Sequence, residues 1–242
     1  MPIDFPQPEK IDLDLFILEN NAYADIPMTL TELQQTFQKK ANHPGASGHF
    51  SALAYGFQLI QKNFPYKHPL DFSDIEHADR ALFWLRDLHS KLTTPIAKYA
   101  AFTTNFDTYM GLGDCGQYRL VKATLGLDRH MPDPANIKKL MGQWYIRLCQ
   151  FHSAVQPFLL KAGDIDPHID KLVDAAEKFS IQLTCIHPFI DANGRSARIV
   201  ENLLRLRWGL IWKQIKPTKK VEYTNNIMEY EDSPEWQKLL KL

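Results

Sequence analysis

The sequence predicts a mainly α-helical fold, a compact helical bundle interrupted by one short β-hairpin. Three observations carry that prediction. Apolar residues recur at intervals of three and four through most of the chain. One stretch only alternates apolar and polar side chains between glycines and prolines. The 242 residues are 45% hydrophobic, enough to bury a sizeable core in a single domain.

Taken in order, residues 1–28 mix prolines, acids and scattered apolar residues, which predicts an extended arm on the surface. Helical spacing starts in "TLTELQQTFQKKA", where Thr29 or Thr31 can cap, and continues in "FSALAYGFQLIQ". "SDIEHADRALFWLRDLHSKL" opens on a capping box, Ser73 with Glu76. "QYRLVKATL" is the alternating stretch, expected as a strand or hairpin. "DPANIKKLMGQWYIRLCQFHSAVQPFLL" predicts a long amphipathic helix with Pro134 in its first turn. In the next helix Leu172, Ala176, Phe179, Leu183 and Ile186 form one buried stripe ending at His187 and Pro188. A further helix starts at Gly194, with Ala197, Val200 and Leu204 inward. Residues 1–70 are thus expected as an arm and helices packed on a core of residues 71–242.

Charge and cysteine usage narrow the function classes. Twenty-eight basic residues balance 28 acidic ones, so no global field favours a nucleic-acid polymer or an anionic membrane. No signal peptide or transmembrane run is legible, and Cys115, Cys149 and Cys185 show no CxxC pairing. The expectation is a cytoplasmic protein, with signal-less export as an effector left open.

The chemistry concentrates in "IHPFIDANGRSAR", residues 186–198. A helix start presents unsatisfied N–H groups and partial positive charge, so Ala192, Asn193, Gly194 and Arg195 can cradle an anion. Arg195 and Arg198, three apart, can both grip phosphate oxygens. Asp191 would repel a bare phosphate but suits a magnesium ion lying between them. His187 can take a proton from an attacking hydroxyl, and Asn193 can donate to charge developing on phosphate oxygens. The plain alternative is a helix N-terminus capped by Asp191 or Asn193 with solvated arginines.

This stretch resembles the signature of Fic-domain enzymes, HPFx(D/E)GNGRxxR, at His187, Pro188, Phe189, Asp191, Asn193, Gly194, Arg195 and Arg198. "LHSKL", "GQYRLVKATLGLDRHMPDP" and "NIKKLM" extend the resemblance over roughly residues 70–240. The resemblance implies a Fic-type helical bundle that transfers AMP from Mg-ATP to a Ser, Thr or Tyr hydroxyl of a target protein. Carried across, His187 is the general base, Asp191 the Mg2+ ligand, Asn193 the anion-hole donor, and Gly194, Arg195 and Arg198 bind phosphate. Phe189 is a core anchor, and the hairpin is a target-binding flap with Leu125, Gly126, Leu127 and Asp128 near its reactive end. Tyr223 resembles the tyrosine that lies against adenine in many members. A homodimer and self-modification stay open.

Two departures stand out. Ala192 replaces the family's first loop glycine, and "DAN" is similar to the DANKR motif of the phage death-on-curing toxin, a kinase relative. Gly194 and both arginines are kept, which favours nucleotidyl transfer. Donors such as another nucleoside triphosphate or CDP-choline, and a non-catalytic binding or toxin-partner protein, remain the alternatives. Many members also carry an inhibitory (S/T)xxxE(G/N) helix. "SALAYG", Ser51–Gly56, is expected as its degenerate counterpart near 51–62, with Tyr55 in the glutamate position and weak autoinhibition at Arg198.

Two decoys are set aside. "GLGDCG", residues 111–116, fits GxGxxG but lacks the strand before it and helix after it that a dinucleotide turn needs. Asp164, Asp166, His168 and Asp170 read more simply as an acidic helix start than as a metal site.

Overall fold

The computed structural model describes residues 12–23, 28–38, 43–61, 75–100, 110–125, 129–159, 168–214 and 216–241. In chain order these form α1 (Leu13–Tyr23), α2 (Leu30–Phe37), α3 (Pro44–Gln61), α4 (Ile75–Ala81), α5 (Phe83–Ala100), β1 (Thr124–Leu125), β2 (Arg129–His130), α6 (Ile137–Leu159), α7 (Ile169–Ile186), α8 (Asn193–Arg207), α9 (Lys220–Glu231) and α10 (Pro234–Leu240). The fold is mainly helical, and among the described residues no helix is long and apolar enough to cross a membrane.

Helix α8 is the axis of the bundle, packed by α1, α3, α5 and α7. It is buried nearly all round, and its buried residues include Asn193, Arg195, Ser196, Arg198, Glu201 and Asn202 beside the expected apolar Ala197, Val200 and Leu204. Polar groups so placed require partners from the surrounding helices. That demand is what builds the site described below. The α7 stripe is as expected, with Leu172, Ala176, Phe179, Leu183 and Ile186 all buried.

Local signals set several helix starts. Thr29 caps α2 in a full capping box, accepting from the Glu32 amide at 3.2 Å while its own amide donates to Glu32 Oε2 at 2.7 Å. Asp133 caps the turn that carries Pro134 into α6. Ser73 lies outside the described residues, as do Asp164 and Asp166. The run from 75 to 100 breaks at Leu82 into α4 and α5.

Two expectations need correction. Residues 13–23 are not an extended arm: they form α1, started by Asp12, whose carboxylate accepts from the Leu15 amide at 2.9 Å. Leu13, Phe16 and Ile17 give the helical spacing, Phe16 and Ile17 are fully buried, and the prolines that suggested an arm lie before Asp12. Nor does "QYRLVKATL" form a strand throughout. Only Thr124 and Leu125 pair, antiparallel, with His130 and Arg129. Upstream of them the Arg119 amide donates to Pro188 O at 2.9 Å, so the segment is committed to the motif loop instead of a ladder.

Candidate functional site

Helix α7 ends at His187 in the left-handed conformation, φ 49° and ψ 58°. Pro188 prevents the helix from continuing. Ala192, φ 60°, turns the chain into α8, and these two are the only non-glycine residues of positive φ among the described residues. Left-handed backbone costs an L-residue roughly 1–2 kcal/mol. Such strain persists where surrounding contacts over-determine it, commonly at functional sites.

The over-determination is visible. Phe189 is fully buried and stacked on the His89 ring, with centroids 3.8 Å apart and planes at 14°. Asn193 closes the turn from both ends of its amide, accepting from the Phe189 N–H at 2.9 Å and donating to Phe189 O at 2.8 Å. Its second amide hydrogen is all that is left for the expected anion-hole role. Neither Asp191 nor Asn193 is the helix cap: Ala192 occupies that position and supplies no side-chain bond.

The first amide bonded along the helix is that of Ser196, to Ala192 O at 2.9 Å, so the N–H groups of Asn193, Gly194 and Arg195 have no carbonyl within the helix. Around this cradle stand the charged side chains. Arg195 is 2% exposed and donates to Asp191 Oδ2 at 2.9 Å, while the Ala192 amide donates to Asp191 Oδ1. Arg198 is 5% exposed. A methyl group at Gly194 would lie 3.0 Å from Arg198 Nη1, so the guanidinium lies close against the first turn. The expected alternative of solvated arginines does not hold.

Arg198 is positioned by α1. Its Nε donates to Asn20 Oδ1 at 2.6 Å, and Nη2 lies 3.4 Å from Asn20 O. Asn20 is set in turn by His49, whose Nδ1 donates to Gly45 O at 2.8 Å and whose Nε2 therefore accepts from Asn20 Nδ2 at 2.9 Å. Burial pushes His49 down to about 3, with the charges of Arg195 and Arg198 acting the same way. The ring stays neutral and the amide keeps its oxygen toward Arg198. Tyr55, expected to face Arg198, instead donates to Asp87 Oδ2 at 3.3 Å on the outer side of α3. The helix whose side chain is seen bonded to Arg198 is α1, through Asn20.

Tyr223 does come to the site. Its ring lies 5.9 Å from the Arg198 guanidinium and its hydroxyl 3.3 Å from Thr184 Oγ1. Beside it opens a cavity of about 390 Å3 bordered by Arg198, Glu201, Lys213, Glu222, Tyr223 and Asn226. Of the expected flap residues, Leu125 is in β1 and Gly126, Leu127 and Asp128 lie outside the described residues. Four residues to which sequence reasoning gave no role complete the surroundings: Asn20, His49, His89 and Arg119. His89 and Arg119 sat within segments singled out as family-like, but nothing in their spacing disclosed what they touch.

The residues fit a magnesium ion carried by phosphate. Asp191 offers one carboxylate, 47% exposed, beside the cradle. Among the described residues no group of three or more His, Cys, Asp or Glu side chains could hold a metal alone. A single carboxylate with phosphate oxygens is the usual setting for such an ion.

The model of the Fic/DOC family matches residues 81–204, half of the chain. A search of curated proteins gives no match. Among solved structures, the chain is similar to a Fic domain containing signaling protein from Bacteroides thetaiotaomicron, with 17% identity, 89% of this chain and 70% of that one covered, and a TM-score of 0.60. It is also similar to Fic-1 from C. elegans, with 14% identity, 93% and 56% covered, and a TM-score of 0.59. A Fic family protein from Desulfovibrio desulfuricans gives 16% identity, 94% and 61% covered, and a TM-score of 0.50. The chain therefore spans less than two thirds of the last two, and at these identities the likeness is one of fold.

Proposed function

The chain belongs to the Fic/DOC family, and from that premise we propose that it transfers AMP from Mg-ATP to a Ser, Thr or Tyr hydroxyl of a target protein. The observation that carries the reading is the loop from His187 to Ala192, held between two left-handed residues beside three helix-start amides that have no carbonyl partner within the helix and two buried arginines. An anion site so built suits a polyphosphate.

In the proposed reaction His187 accepts the proton of the target hydroxyl as its oxygen attacks the α-phosphorus. The bond from that phosphorus to the bridging oxygen breaks, and pyrophosphate leaves with the electron pair. The helix-start amides with Arg195 and Arg198 hold the phosphate charge, and Asp191 would hold magnesium, which supplies further charge neutralisation. The cavity beside Tyr223 would take the nucleoside. The hairpin of β1 and β2 would act as the flap, holding an extended target segment through its backbone. Retention of Gly194 and both arginines supports nucleotidyl transfer over the kinase branch.

The test is incubation with ATP labelled at the α-phosphate, in parallel with γ-labelled ATP and labelled CDP-choline. The expected outcome is label on protein from the α-position alone. His187→Ala should lose roughly a hundred- to ten-thousand-fold in rate while keeping nucleotide affinity. Label from the γ-position, or full activity in that variant, overturns the assignment.

A further inference from the structure

The catalytic loop touches the hairpin region through two buried side chains that belong to neither. Arg119, 1% exposed, spends its guanidinium on three backbone carbonyls: Nε donates to His187 O at 2.7 Å, Nη1 to Val121 O at 2.8 Å and Nη2 to Pro132 O at 2.6 Å. Val121 and Pro132 flank the paired strands on either side, so one cation ties both feet of the hairpin to the residue that carries the base. The Arg119 amide adds a bond to Pro188 O at 2.9 Å.

His89 makes the matching bracket on the other side of the loop. Gly116 N–H donates to His89 Nδ1 at 3.0 Å, which fixes the hydrogen on Nε2, and Nε2 donates to Asp191 O at 2.9 Å. Gly116 is held close: at φ +78°, an added methyl group would fall 2.7 Å from Arg86 O. Phe189 stacked on the ring keeps the imidazole in plane. The ring thus spans the segment leading into the hairpin and the backbone of the proposed metal ligand.

We infer that Arg119 and His89 are positioning residues that register the hairpin against the catalytic loop, Arg119 acting through the His187 carbonyl and His89 through the Asp191 carbonyl. The inference rests on the transfer reaction proposed above. Its physical ground is economy of contact: a buried guanidinium and a buried imidazole are costly unless bonded, and each of these side chains bonds both the backbone of the loop and the backbone at or leading into the hairpin. A target segment seated on the hairpin and a nucleotide seated on the loop would be aligned by these bonds. Misalignment of reacting groups by about 1 Å is enough to cost roughly a hundredfold.

The two nitrogens of His89 can be replaced separately. In His89→Asn the amide oxygen takes the Nδ1 position, keeping the Gly116 bond and losing that to Asp191. In His89→Gln the amide nitrogen takes the Nε2 position and the reverse holds. His89→Asn should raise KM for the nucleotide, and His89→Gln should raise KM for the target and speed exchange of the Gly116 amide. Arg119→Lys should lower kcat roughly a hundredfold with nucleotide Kd little changed, and should speed exchange of the Arg119-position amide. Amide exchange is read without turnover, and kinetics use whichever donor proves active, so failure of the AMP reading leaves this test standing. Equal effects of the two His89 variants on both KM values, or unaltered amide exchange with wild-type kcat in Arg119→Lys, would overturn the inference.

Discussion

Lowering the pH from 7 to 5 should unfold this protein through its buried histidines. His49, His89 and His152 are at most 4% exposed. Burial is the first cause of each shift, taking His49 to about 3 and His89 and His152 to about 4. The folded pKa lies below the unfolded value, so the unfolded chain binds protons that the native one refuses. Stability is then complete above about pH 6.5 and is lost as pH falls toward the folded values. Each histidine contributes about 1.4 kcal/mol per pH unit, or about 2 kcal/mol between pH 6.5 and 5, and the three together approach 6 kcal/mol. That is comparable to the whole stability of an ordinary domain. Urea midpoints measured at half-unit steps should show the decline. His152→Asn, which keeps an acceptor for the Trp208 indole N–H now bonded at 3.1 Å, should remove about a third of the slope. A stability flat between pH 7 and 5 would refute the reasoning, since it would mean that these rings accept protons in the native state.

Gly194→Ala places a methyl group 3.0 Å from Arg198 Nη1, so the guanidinium must shift. Nucleotide Kd by calorimetry should rise about tenfold, the equivalent of about 1.4 kcal/mol, with little change in Tm. Ala192→Gly relieves roughly 1–2 kcal/mol of left-handed strain, set against roughly 0.5–1 of chain entropy and about 0.8 for a buried methyl group. The denaturation midpoint should therefore stay within about 1 kcal/mol of wild type. Asn20→Ala strips the 2.6 Å partner from Arg198 Nε and the donor from His49, and should cost about 2–3 kcal/mol in urea unfolding. Tyr55→Phe removes only the 3.3 Å bond to Asp87, and transfer rates should be unchanged; a large rise would return control of Arg198 to α3.

What was legible in the sequence was what repeats locally. The 172–186 stripe is a 3.6-residue pattern, and the motif is a contiguous stretch whose order itself carries information. The burial of Arg195 and Arg198 was not legible, because helical periodicity assigns charged residues to the outside unless partners are known. Arg195 has a local partner in Asp191, four residues back, but the partner of Arg198 comes from far away: Asn20 and Arg198 are 178 positions apart. The α1 helix was read as an arm because its preceding prolines dominate the window, although Leu13, Phe16 and Ile17 hold the correct spacing. The alternation of "QYRLVKATL" was real, but Arg119 turns its backbone and side chain toward the loop, and a pattern of polarity cannot show which neighbour a segment bonds.

The family match starts at residue 81, yet the residue that holds Arg198 by its Nε is in α1, and the histidine that fixes that residue is in α3. A buried guanidinium stripped of its partners costs more than an exposed one gains. The N-terminal helices are therefore not a cover laid over a finished site. They supply the polar contacts that let a cation sit inside the bundle at the start of α8. The boundary drawn from sequence at residue 70 separates Arg198 from Asn20 and His49, whose bonds position it, so the proposed phosphate site draws on both sides of that line.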